Sequence, residues 1–107
     1  MFDLQDYIQK YYPHLVYIPD MPTINRLEAE RLGYPKNKYM LQTILLKKNN
    51  FTKKQAITWL KQHNFKYDDY RTTLHFHRFM QHFPVEGSKF ITQKPYEDQV
   101  ELVYQKF

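Results

Sequence analysis

The residues of this sequence best suited to binding a ligand are basic side chains interleaved with tyrosines. Lysine and arginine can neutralise phosphate groups, and an exposed tyrosine ring can stack on an unpaired base. The pattern predicts a nucleic-acid-binding surface made of Lys47, Lys48, Lys53, Lys54, Lys61, Lys66, Arg71, Arg78, Tyr67 and Tyr70. No recognised nucleic-acid motif accompanies these residues, and a solvated lysine-rich face is the plain alternative.

Two histidines invite a metal hypothesis. His75 and His77 are two residues apart, so on a strand both imidazoles would face the same way, with His82 or Glu86 as a third ligand. A zinc site needs three or four converging ligands, and only two of these share an assured face. We therefore expect no metal and no other cofactor, and we interpret His75 and His77 as a pair on the surface of a sheet.

Groups that could perform catalysis are sparse. Asp68 and Asp69 are adjacent, so their side chains diverge, whereas general acid–base catalysis requires two carboxylates aimed at one substrate. Ser88 is the only serine, and it lacks the context of a nucleophile elbow or a phosphate-binding loop. Cysteine is absent, which excludes thiol nucleophiles and cysteine-ligated metals. We expect that the protein is not an enzyme.

Charge is distributed unevenly along the chain. Residues 1–35 contain three basic and five acidic side chains, a net charge of −2, whereas residues 36–107 contain 13 basic and 6 acidic ones, a net charge of +7. A polyanion would therefore meet the second part. Aromatic residues make up 18% of the chain, and ten of them are tyrosines. Such side chains suit a protein interface as well as base stacking.

The N-terminal sequence shows no targeting signal. Met1 to Asp6 carries two acidic side chains and no long apolar run, unlike a secretory signal or a transit peptide. No stretch approaches the roughly 20 apolar residues of a membrane-spanning helix. Together with the absence of cysteine, these features predict a cytosolic, nuclear or virion setting, and a protein that is neither secreted nor bound to a membrane.

One helix is specified at both ends. Thr52–Gln55 is a capping box, in which the hydroxyl of the first residue accepts from the backbone N–H of the last, whose side chain returns the bond. The helix is therefore predicted to begin at Lys53. It should end at His63, because Asn64 readily adopts the left-handed conformation. Trp59 lies beside the inward stripe and is interpreted as a core residue.

Strands and shorter helices are predicted around this helix. Residues 38–48 are apolar on both alternating faces, with Leu41 and Thr43 on the same face, which is typical of a central strand. Further strands are predicted at residues 72–80, 90–92 and 100–104. Short helices are predicted from Phe2 to Tyr12 and between a Thr23 cap and Gly33, the second with Ile24, Leu27 and Leu32 on its apolar side.

These elements predict an α+β fold. Residues 38–107 form a βαββ module, a small antiparallel or mixed sheet with one packed helix. One or two short N-terminal helices precede it within residues 1–37, a helical extension and connector. Both parts together are expected to form a single compact domain.

The second part of the chain resembles a small βαββ module that recurs in uncharacterised and virion-associated proteins of tailed phages and large double-stranded DNA viruses. The similarity is spread over residues 38–107, about two thirds of the chain, and lies in Leu41–Leu46, Phe51–Ala56, Trp59–Lys66, Leu74–Met80 and Val100–Tyr104. Where the module usually has a Tyr-Arg-Phe-Arg-like stretch, this chain carries histidines. The resemblance implies a viral or phage origin and an assembly or interaction role, and it assigns no residue to a site.

Two functions follow as hypotheses. The first is a non-catalytic assembly or interaction protein of a virus or phage, a minor virion component. It would bind a capsid or other virion protein, or a second copy of itself, through a tyrosine-rich surface. The alternative is a nucleic-acid-binding accessory protein that uses the basic residues and interleaved rings of residues 36–107.

Overall fold

Two helices and five strands make up the described part of the chain. A computed structural model describes residues 22–96 and 99–107. In chain order the elements are α1 (Arg26–Arg31), β1 (Met40–Lys47), α2 (Lys53–Gln62), β2 (Tyr70–Thr72), β3 (Phe76–Met80), β4 (Lys89–Gln93) and β5 (Val100–Lys106). The helix predicted from Phe2 to Tyr12 lies outside the described residues.

The five strands form one sheet in the order β2-β3-β1-β5-β4, and every neighbouring pair is antiparallel. The prediction of a small α+β fold is confirmed, and the sheet is antiparallel rather than mixed. Its central strand is β1, in which residues 42–46 are all buried. Apolar side chains on both alternating faces suit this position, because the strand is covered on both sides.

The sheet has two more strands than the βαββ core expected from the sequence. The single strand predicted over residues 72–80 is divided by a turn into β2 and β3. Thr73 holds this turn, because its backbone N–H donates to the Phe76 carbonyl and its hydroxyl accepts from the Phe76 N–H, both at 3.0 Å. The weak segment predicted at residues 90–92 is a full edge strand, β4.

Helix α2 begins and ends as predicted. The Thr52 hydroxyl accepts from the Gln55 N–H at 3.1 Å, and the Gln55 side chain accepts from the Thr52 N–H at 2.9 Å. At the other end Asn64 has a φ of 62°, and the Phe65 N–H donates to the Leu60 carbonyl at 2.9 Å. This is a Schellman ending, and together with the capping box it determines where the helix begins and ends.

Helix α2 covers one face of the sheet. Ala56 and Leu60 of the helix pack with Ile44, Leu46, Phe79, Val100 and Leu102 of the strands. A smaller cluster on the opposite face contains Leu45, Phe76 and Val103. The prediction that Leu41 and Thr43 share a face is wrong, because an irregularity in the β1–β5 register falls between them and pairs them with the adjacent residues Tyr104 and Val103.

Helix α1 packs against the end of the chain. Its buried residue Ala29 contacts a cluster with Val85 and Phe107, and Ile24 forms a parallel bridge to Val85. The N-cap is Asn25, whose side chain accepts from the Glu28 N–H at 2.8 Å, rather than the predicted Thr23. The predicted apolar side is also wrong, since Leu27 is 56% exposed and Leu32 58%.

Candidate functional site

The basic residues predicted to bind nucleic acid are concentrated on and around α2. Residues 47–67 contain six lysines and no aspartate or glutamate. We refer to Lys47, Lys48, Lys53, Lys54, Lys61 and Lys66 as the α2 lysine surface. All of them are exposed except Lys47, which is half-buried at the end of β1. Lys54 and Lys61 are seven residues apart, so they lie on the same side of α2, two turns from one another.

Two of these lysines lie over tyrosine rings. The Nζ atom of Lys53 is 4.4 Å from the centroid of the Tyr70 ring, and that of Lys61 is 5.0 Å from the Tyr67 centroid. Both distances fall within the range of cation–π contact. Tyr67 remains 44% exposed, whereas Tyr70 is half-buried against the core. The structure therefore brings both predicted tyrosines to the lysine surface, and Tyr67 presents the more open ring.

The two predicted arginines lie in different environments. Arg71 is exposed on the edge strand β2, with its Nε atom 3.8 Å from a carboxylate oxygen of Asp69. Arg78 lies on β3 and is only 2% exposed. A guanidinium so deeply buried does not reach a phosphate on the protein surface. Arg71 thus extends the basic surface towards β2, and Arg78 belongs to the interior.

The two histidines considered for metal binding do not share a strand. His75 lies in the exposed turn before β3, whereas His77 is buried on β3. Both ring nitrogens of His77 are engaged, with Nδ1 2.8 Å from the Tyr70 hydroxyl and Nε2 2.9 Å from the Phe51 carbonyl oxygen. Within residues 22–96 and 99–107, no three histidine, aspartate or glutamate side chains are grouped to hold a metal ion.

A shallow groove runs along α2 beside the lysine surface. We call it the Trp59 groove; its volume is about 400 Å³, and Phe51, Lys54, Thr58, Trp59 and Gln62 are among the residues that line it. The Trp59 ring stacks on His63, with 3.9 Å between the ring centroids. One signal for this groove is present in the sequence, since Trp59 falls at the edge of the inward stripe of Ala56 and Leu60.

A second concavity is lined by residues from four separate segments of the chain. We call it the Tyr34 cleft, a space of about 510 Å³ between the C-terminal end of α1 and the segments at residues 66–69 and 80–83. Exposed apolar side chains border it, including Leu32, at 58% exposure, and Phe83, at 38%. Asp68 and Asp69, expected only as a turn, also line this cleft.

Hydrogen bonds fix the polar groups of the Tyr34 cleft. The Tyr34 hydroxyl accepts from the Phe83 N–H at 3.0 Å, and the His82 ring meets the Tyr34 ring edge-on at 5.3 Å. The Nδ1 atom of His82 is 2.6 Å from the Leu41 carbonyl oxygen, so this nitrogen carries the proton. The sequence could not indicate this cleft, because its walls come from distant segments.

Comparison of the chain with models of known protein families, with curated proteins and with solved structures finds no match. Neither helix in the described ranges has the length and apolar character needed to cross a membrane. The side chains of the α2 lysine surface, the Trp59 groove and the Tyr34 cleft are therefore the basis for the functions proposed below.

Proposed function

We propose that this protein is a non-catalytic nucleic-acid-binding accessory protein that holds a phosphate backbone on the α2 lysine surface. The observation that carries the proposal is the charge of this surface. Six lysines fall within residues 47–67, where the sequence has no acidic residue. A cationic surface formed by a segment that contains no carboxylates attracts a polyanion. Binding then releases the counterions of that polyanion.

The tyrosines of this surface favour a nucleic acid over other polyanions. Lys61 lies over the half-exposed ring of Tyr67, so a positive charge and an aromatic face are offered at the same place. Single-stranded nucleic acids use both, since their phosphates pair with lysines and their bases stack on aromatic rings. A stack of this kind needs no sequence-specific contacts.

Salt dependence tests this function. Anisotropy of a labelled single-stranded oligonucleotide should report binding at low salt, with log K falling by about 0.7 for each phosphate contact per unit of log salt concentration. The double variant Lys54→Gln/Lys61→Gln should bind more weakly and with a shallower slope. The control Lys38→Gln/Lys89→Gln removes the same charge from exposed lysines outside the surface. Absence of binding at low salt, or equal loss in both variants, contradicts the proposal.

A second candidate function is docking of a protein partner in the assembly of a phage or large DNA virus, as the resemblance of residues 38–107 implies. The observation that favours it is the Tyr34 cleft. Leu32 and Phe83 expose apolar surface at its border, while its charged lining residues, Lys66, Asp68 and Asp69, leave one net negative charge. We propose as occupant a segment of a virion protein with a bulky apolar side chain next to a basic one.

The cleft proposal is tested in purified particles of the source virus. Mass spectrometry should detect the protein in particles, and the variant Leu32→Asp should be absent from them while its melting temperature stays unchanged. Leu27→Asp is the matched control, because Leu27 is similarly exposed and does not line the cleft. If the protein is absent from particles, or the two variants are incorporated equally, the cleft is not the docking site.

A further inference from the structure

We infer that the Trp59 groove is a subsite for an unpaired nucleobase. The inference rests on the proposed nucleic-acid function and adds the place where a base, rather than a phosphate, is held. The groove lies on α2 itself, so a strand whose phosphates follow the lysine surface passes directly beside it.

The lining of the groove combines the groups that a base requires. Phe51 and Trp59 supply aromatic side chains to the lining, and both residues are only half-buried. Aromatic rings of this kind stack on any base, because every base has a π face. The volume of about 400 Å³ falls within the range of small-molecule sites.

Polar side chains border the same space. The amides of Asn50 and Gln62 are exposed and line the groove, where they can donate to and accept from the edge of a base. Gln55 also lines it; its side-chain oxygen accepts the capping bond from Thr52, which leaves its NH₂ group as a donor. These amides can accommodate different bases because each presents donors and acceptors.

Lys54 links the groove to the phosphate-binding surface. It lines the groove and belongs to the α2 lysine surface, one turn from Thr58 on the same helix. The groove lies on a segment without acidic side chains, which favours the anionic nucleotide over a neutral or cationic ligand. The Trp59 ring is held by its stack on His63 and by an edge contact with Tyr96 at 5.1 Å. The stacking surface is thus positioned before a ligand arrives.

Fluorescence of Trp59 provides the test, since it is the only tryptophan in the chain. Short oligothymidylate should quench its emission, whereas an oligomer of equal length and charge with abasic sugars should bind about tenfold or more weakly, without quenching. The variant Thr58→Phe, which fills the groove from an exposed position of α2, should lose the quenching and keep the salt slope. Lys61→Gln, outside the groove, should lower the slope and keep the quenching.

The readouts separate this inference from the function on which it rests. If anisotropy shows salt-dependent binding while Trp59 emission is unchanged, or if the abasic oligomer binds as tightly as oligothymidylate, the subsite is refuted and the lysine surface stands. No binding of either oligomer at low salt refutes both. If poly-glutamate of equal charge quenches Trp59 as strongly as oligothymidylate, the groove takes an acidic peptide and the inference is overturned.

Discussion

The hydroxyl of Tyr70 and the ring of His77 are joined by a hydrogen bond of 2.8 Å, and the other nitrogen of this ring lies 2.9 Å from the Phe51 carbonyl oxygen. A neutral imidazole meets both contacts when Nε2–H donates to the carbonyl and Nδ1 accepts from the tyrosine. The buried histidine therefore connects the edge strand β2 to the residue that precedes the cap of α2.

Tyr70→Phe should destabilise the protein by about 1 to 2 kcal/mol. The change removes the donor to Nδ1 of His77 and leaves a buried acceptor without its partner. Urea unfolding monitored by Trp59 fluorescence gives the free energy of unfolding. Tyr67→Phe is the control, because Tyr67 is much more exposed, and its stability should stay within about 0.5 kcal/mol of the wild type. If both variants lost the same stability, the hydrogen bond to His77 would not be the cause of the loss in Tyr70→Phe.

Thr52→Ala should cost about 1 kcal/mol, since it removes the acceptor for the Gln55 N–H at the start of α2. Thr58→Ala serves for comparison. Its hydroxyl donates to the Lys54 carbonyl within the helix, and alanine is the better helix former, so stability should be kept or slightly raised. Circular dichroism during thermal unfolding measures both. A neutral Thr52→Ala variant would contradict the importance of the cap.

Gly33→Ala isolates the cost of a left-handed backbone. Gly33 has a φ of 81°, and a Cβ atom at this position would meet no atom within 4 Å. The expected loss of about 1 kcal/mol therefore comes from backbone strain alone. Gly33→Asn should lose less, because asparagine tolerates this conformation, as it does at Asn64 in the same role after α2. Chemical denaturation of the two variants measures which of them loses more stability. A gain in stability for Gly33→Ala would refute the explanation by backbone strain.

Phe79→Ala should destabilise the protein by about 3 to 5 kcal/mol, because Phe79 is fully buried between the sheet and α2. A variant that still folds should show a much lower melting temperature. Leu27→Ala removes an apolar side chain that is 56% exposed, and its effect should stay near or below about 0.5 kcal/mol. Differential scanning calorimetry of both variants compares the two positions, and a small loss at Phe79 would place the core elsewhere.

The features that the sequence predicts well are those determined over a few residues. The ends of α2 depend on Thr52, Gln55 and Asn64, all within or next to the helix, and the structure has the predicted bonds at both ends. The central position of β1 follows from apolar side chains on both of its faces, although Gln42 and Thr43 lie between them. For both α2 and β1, the residues that predict the element belong to the element itself or lie next to it.

The features that could not be predicted depend on distant partners or on unusual turn residues. The turn between β2 and β3 contains no glycine, proline, asparagine or aspartate, and it is held by the Thr73 side chain instead. The irregularity after Leu41 exists only in the register with β5. The Tyr34 cleft joins Leu32 to Phe83, which are far apart in the chain. Its presence depends on how α1 packs.

The absence of acidic residues from residues 47–67 also affects the protein when no ligand is bound. Like charges on one surface repel one another, and this repulsion lowers the stability of the compact state. Dissolved salt screens the repulsion. The free protein should therefore melt at a higher temperature as ionic strength rises, although the same salt weakens its hold on a polyanion. A bound polyanion would supply negative charge in place of salt. It would thereby reduce the repulsion among the lysines and stabilise the folded protein.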